Sequence, residues 1–150
     1  MVRPGTKRSG AVAVEFAAVA PVAFVLVLGI MVGGMAVFRF HELSTLAREG
    51  ARYASVHGTD YAKATGNTAA TADDIKNFIL AKAVGLDTSN LTCTVTWNAS
   101  NSPYTTSYGG SAPISTANTV TVTLSYQWIA EAYFTNSSTM TATSTMVMSF

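Results

Sequence analysis

From residue 11 to residue 38 the chain reads AVAVEFAAVAPVAFVLVLGIMVGGMAVF, and Glu15 is its single ionisable side chain. No polar face interrupts the run. As a helix it would be roughly 42 Å long, against the roughly 30 Å, or about 20 residues, that a bilayer core requires. A soluble protein would need a large core on every side to bury so uniform a helix. The pattern therefore predicts a membrane-spanning helix. Just beyond it, Leu43, Leu46, Ala47, Gly50, Ala51 and Ala54 recur at spacings of three and four. The helix is expected to continue as a stalk, with a narrow face of small residues for packing against the globular part or a sister helix. Glu49 and Arg52 are placed to pair on its surface at i,i+3.

A second helix is expected to open at Thr71, which can cap it with Asp74 at the third position. Ile75, Phe78, Ile79 and Ala83 form its apolar face, and Gly85 fits its end. Beyond Asp87 the period changes to two. Leu91, Cys93, Val95 and Trp97 alternate with threonines. So do Val120, Val122, Leu124, Tyr126 and Trp128 with Thr121, Thr123, Ser125 and Gln127, and, less cleanly, the residues from Met140 to Phe150. These are three half-buried antiparallel strands with one threonine-covered wet face. Between them, about residues 99–118 read as a long loop containing Pro103, Tyr104, Tyr108, Gly109, Gly110 and Pro113. Its tyrosines either contact another subunit or surface or fold onto the sheet edge. The fold class is α+β: a long N-terminal transmembrane and stalk helix, then a small domain with one further helix and a three-stranded antiparallel sheet. The expected boundaries are a basic leader at 1–10, the helix at 11–57 and an exported domain at 58–150.

Charge gives the helix a direction. The chain totals nine Lys and Arg against eight Asp and Glu, but Arg3, Lys7 and Arg8 crowd the first residues and only Glu131 is charged after Asp87. The positive-inside rule keeps the N-terminus cytoplasmic and places the C-terminal domain outside the inner membrane, in a single pass. The apolar run far exceeds the 7–15 residues of a cleaved secretory signal, so the helix is expected to be retained. With so few basic groups in the body, nucleic-acid binding is not expected.

Candidate chemistry is sparse. The single cysteine, Cys93, excludes an internal disulfide framework and any multi-cysteine metal site, and it reads as a small core residue. His41 and His57 have no Cys or paired carboxylate at ligand spacing. There is no nucleophile elbow and no phosphate-binding glycine loop. No catalytic residue, metal, cofactor or small-molecule substrate is expected. Asn90, Asn98 and Asn136 open glycosylation sequons of the kind that arise by chance in a chain rich in Ser and Thr. Within the apolar run, Pro21 removes one helical hydrogen bond and is expected to kink or loosen the helix. Gly29 and Gly33 form a GxxxG pair that would let a neighbouring helix approach.

Glu15 asks for an explanation, because a carboxylate at the centre of a membrane helix costs about 2.5–3.5 kcal/mol or more. A short basic leader ends in Gly10, Ala11 follows, and Glu15-Phe16 precede the long apolar helix. This resembles the processing site of type IV pilins and pseudopilins. Together with Ala13-Val14-Glu15-Phe16, Pro21 and the stalk motif Ala47-Arg48-Glu49-Gly50-Ala51-Arg52, it resembles the TadE-like family, pseudopilins of the Flp or tight-adherence (Tad) pilus system. The resemblance covers about residues 8–56. The chain departs from the family's pattern at Gly33-Gly34-Met35, where members often carry Glu or Gly-Arg. The resemblance implies that a prepilin peptidase cuts between Gly10 and Ala11, leaving Glu15 fifth in the mature chain. It implies other pilin subunits and the Tad assembly platform as partners, and a structural role in pilus assembly, adhesion or secretion. An α-ammonium at Ala11 of one subunit could then meet Glu15 of its neighbour, an attraction that desolvation partly offsets; what survives is chiefly register. Read without the resemblance, the same features fit a permanently anchored single-pass protein that binds a partner outside the cell.

Overall fold

The computed structural model describes residues 9–109, 113–129 and 137–150. Arg3, Lys7, Arg8, Gly110, Glu131 and Asn136 lie outside the described residues. Two compact units result, 1–36 and 37–150.

The first unit is the N-terminal part of helix α1, Ser9–Val56. The helix runs through Pro21 without interruption, so the missing hydrogen bond there does not end it. Apolar side chains are exposed all around this part, among them Val14, Phe16, Phe24 and Ile30. It is the one helix among the described residues long and apolar enough to cross a membrane, which suggests single-pass anchoring.

The second unit contains the rest of α1, two short helices and two sheets. Leu43, Leu46, Ala47, Gly50, Ala51 and Ala54 are all buried on one face of α1. The small-residue face thus packs within its own chain. Helix α2, Thr59–Thr65, buries no residue. Helix α3, Ala72–Lys82, starts with a full capping box between Thr71 and Asp74 and buries Ile75 and Ile79. The Asp74 carboxyl is held below its ordinary value, first by the Thr71 backbone N–H and then by the Thr71 hydroxyl. The cap's charge-dependent part is therefore fully present above the ordinary carboxylate pKa and is lost only as pH falls through Asp74's lowered value.

Strands β1 (Leu91–Trp97), β4 (Thr119–Trp128) and β5 (Ser138–Val147) form an antiparallel sheet in the order β1-β4-β5. Burial alternates strictly along β4, with Val120, Val122, Leu124, Tyr126 and Trp128 inside. The register aligns hydroxyls across the other face in three ranks: Thr92–Ser125–Thr141, Thr94–Thr123–Thr143 and Thr96–Thr121–Thr145. Two of these pairs are hydrogen-bonded, Thr121 with Thr145 at 2.9 Å and Thr123 with Thr143 at 3.2 Å. This is the wet face that the alternation predicted.

The long loop expected at residues 99–118 is instead a second sheet. β2 (Tyr104–Tyr108) and β3 (Pro113–Ala117) pair as an antiparallel arm with five cross-strand partners. Tyr104 and Tyr108 stay exposed rather than folding onto the sheet edge.

Asn118 anchors the base of the arm. It is buried, and all its polar groups are used. Its N–H donates to Pro103 O at 2.8 Å, its carbonyl accepts from Met148 N–H at 2.8 Å, and its side chain bonds Ser100, Ser102 O and Thr105. Leucine would match its volume while stranding several partners, and each buried polar group left unpaired costs about 1–3 kcal/mol. Asn118→Leu should lower the midpoint of thermal unfolding of the second unit by several degrees, with the arm, read by NMR or proteolysis, loosening first.

Candidate functional site

The first cluster lies at the start of α1. Gly10 and Ala11 are exposed in the first helical turns, with open space around Gly10. Glu15 follows Ala11 by four residues, hence one turn later on the same face. It is exposed and lines a shallow groove with Val12, Phe16 and Val19. A carboxylate thus sits on an apolar strip one turn from Ala11. Gly29 and Gly33, also one turn apart, have open space where a side chain would stand, as does Gly34. That strip admits a closely approaching helix. Pro21 lies between the two features.

The second cluster is the stalk motif. Gly50 sits where a Cβ would fall 2.5 Å from Ile79 Cδ1 and 3.5 Å from Val122 Cγ1. Its bare backbone therefore lets α1 approach both α3 and β4. Glu49 does not pair with Arg52. It accepts from Lys82 Nζ at 2.6 Å, because α3 runs alongside and offers a cation that helical spacing alone does not reveal. Both side chains are about half exposed, so the ion pair contributes less than about 1 kcal/mol. Arg48 Nε donates to Ser44 O one turn earlier at 3.4 Å, and Arg52 is exposed.

Two ties escaped the sequence reading. Gly85 does not terminate α3, whose cap is Ala83. Its N–H donates to Glu42 Oε1 at 2.9 Å, and a Cβ at Gly85 would collide with the Glu42 carboxylate. Glu42 thus fixes the α3–β1 connection to α1. An aromatic column joins the three helices: Phe78 stacks on Tyr53 at 4.3 Å, Tyr53 on His57 at 4.0 Å, and Tyr61 lies tilted across His57 at 4.6 Å. Lys82 Nζ stands 4.7 Å above the Phe78 ring. The i,i+4 spacing of Tyr53, His57 and Tyr61 was the available signal. His57 is consumed in this column, and its Nδ1–H donates to Tyr53 O at 2.8 Å. Cys93 is a half-buried free thiol whose pKa burial pushes up, with a smaller opposing pull from Lys76. Among the described residues, no group of three or more His, Cys, Asp or Glu side chains could hold a metal.

A similarity to known proteins spans the first two clusters as one stretch. Residues 10–52 match the family model of TadE-like proteins. The TadE-like stretch opens at Gly10 and closes at Arg52, so it contains Glu15, the glycine pair, Gly50 and the Glu49 end of the ion pair. TadE-like proteins are a pilus-associated structural family, and the match points to a Tad pilus-associated protein. No curated protein and no solved structure matches the chain.

Proposed function

We propose that the chain is a minor pilin or pseudopilin of a Flp-type pilus. A prepilin peptidase removes a leader at residues 1–10 by cutting between Gly10 and Ala11. The helix at 11–57 then spans the inner membrane with its N-terminus on the cytoplasmic side, and the domain at 58–150 faces outward. The observation that supports this best is that the TadE-like match begins at Gly10, in a helix whose single membrane-level acid lies one turn from Ala11.

In this reading Glu15 is the register device. Cleavage leaves an α-ammonium on Ala11, and Glu15 of a staggered neighbour accepts it. An unpaired carboxylate is penalised in lipid, so only staggers that pair it are favoured. Pro21 loosens the helix, and Gly29 and Gly33 give a neighbour close approach. Arg48, Glu49, Gly50 and Arg52 mark the point where the helix joins its domain. The assembly platform and other pilin subunits are the partners, and the function is pilus assembly, adhesion or secretion.

Gly10→Leu tests the cleavage site, because a bulky side chain next to the scissile bond blocks a peptidase that accepts glycine there. The variant should accumulate in the membrane at full length, whereas the parent chain should show an intact mass beginning at Ala11. Normal processing of the variant would refute the site. A parent chain that keeps its leader would instead support a permanently anchored binding protein.

A further inference from the structure

We propose that the β2–β3 arm of one copy adds as a fourth strand to the free β5 edge of a second copy. Among the described residues, the sheet order β1-β4-β5 leaves the outer backbone groups of β5 without a strand partner. Natural sheets usually guard such an edge with a charge, a proline or a bulge. β5 reads STMTATSTMV over ten residues, with neither charge nor proline, and pairs with β4 without a bulge. The arm is equally bare. β2 reads YTTSY, and residues 88–130 contain no charged side chain. A lone two-stranded hairpin is marginal in water. This one is anchored at its base by Asn118 and by Ser102, whose hydroxyl donates to Tyr104 O, while Tyr104 and Tyr108 are 62% and 87% exposed.

The side-chain patterns of the two strands fit each other. Tyr104, Thr106 and Tyr108 share one face of β2, and Thr105 and Ser107 share the other. On β5, Met140, Ala142, Ser144 and Met146 face the core, and Thr141, Thr143 and Thr145 face water. Strand addition would lay the tyrosines beside Met140 and Met146, both left half-exposed at the sheet edge. It would extend the threonine ranks with Thr105 and Ser107. No charge is buried in the process.

A second copy is the occupant, because arm and edge are complementary halves of one chain. The contact is head-to-tail rather than two-fold, the kind of interface that can propagate along a fibre. A five-residue strand buries less than the roughly 1,000 Å² of a free-standing interface. It therefore forms where helices already hold copies side by side, and in this it rests on the pilin reading.

Disulfide trapping tests it in the full chain, with Cys93→Ser throughout. One tagged chain carries Ser107→Cys. A second, differently tagged, carries Thr141→Cys, Thr143→Cys or Thr145→Cys. Same-face neighbours on paired strands lie within disulfide reach. At least one combination should give a mixed dimer, and Thr92→Cys on the opposite edge should give none. Adding Thr141→Lys to a productive β5 chain, with its thermal unfolding unchanged, should cut the yield at least tenfold. Absence of every arm–β5 dimer, dimers only between β5 cysteines, or equal trapping at Thr92 would overturn the proposal. Absent trapping in chains that begin at Ala11 and enter fibres would sink this contact alone. Trapping confined to chains that keep their leader would sink the pilin reading alone.

Discussion

A Glu15→Ala chain should reach the membrane at the parental level and lose its leader, yet its incorporation into surface fibres should fall by about 30-fold. Insertion is unaffected because the substitution makes the apolar run more uniform. Assembly is expected to fail because, on the proposed pairing, the neighbour's α-ammonium at Ala11 would be left in a poorly hydrated site with nothing to accept it. Removing one member of a buried ion pair costs about 3–5 kcal/mol. A site near the headgroups keeps some water, which brings the loss to about 2 kcal/mol, or about 30-fold in an equilibrium. Glu15→Gln should fail almost as badly, since it keeps the shape and removes the charge. Glu15→Asp should retain part of the function. Quantitative immunoblots of membrane and sheared-fibre fractions read all three. Parental incorporation of Glu15→Ala would show that the carboxylate does not set register.

The largest effect on the fold is expected at a glycine, Gly58. It lies between α1 and α2 in extended backbone, and it is buried. A Cβ there would collide with the Phe150 carbonyl oxygen and fall 2.9 Å from Asn101 O and 2.8 Å from Met148 Cε. Two of these are backbone atoms pinned by their own segments. The Asn101 carbonyl accepts from Thr59 N–H at 2.7 Å, and the C-terminal residues bond Ser55 O through Ser149 N–H and Phe150 N–H. Neither can swing aside as a side chain can. Gly58→Ala should therefore cost about 3 kcal/mol or more, at the upper end of what overpacking causes. Gly50→Ala meets the flexible end of Ile79 and should cost about 1–2 kcal/mol. Thermal unfolding of the two variants should rank them in that order, and a Gly58→Ala melting point within a degree of the parent would contradict the packing at this junction.

The legible parts of the chain were those where one face is buried and the other wet. β1, β4 and β5 announced themselves through a period of two, and α3 through its capping box and the Ile75–Ile79 spacing. The small-residue face of α1 was legible too, and the structure buries it, with Ile79 of α3 and Val122 of β4 against Gly50. The arm was hidden for the opposite reason. YTTSY and PISTA are exposed on nearly every side, so burial imposes no alternation on them, and proline with paired glycines made the region read as loop. Helix α2 has seven residues and buries none, leaving only the Tyr53–His57–Tyr61 spacing as a sign. Glu49 was assigned the wrong cation because helical spacing reports only neighbours on its own helix, whereas Lys82 is 33 residues away in sequence. Gly85 was read as a helix end because glycine after an apolar helix usually is one; here it makes room for the Glu42 carboxylate. At the proposed processing and register site, everything legible came from residue identity and spacing, since Gly10, Ala11 and Glu15 are exposed and an isolated subunit supplies no neighbour to meet them.

The account rests on a cleaved subunit entering a fibre, and the mass of the chain in that fibre tests it most directly. Surface fibres sheared from cells and analysed by intact-mass spectrometry should contain a chain beginning at Ala11. A chain found only in the membrane fraction, uncut between Gly10 and Ala11 and absent from every fibre preparation, would contradict it.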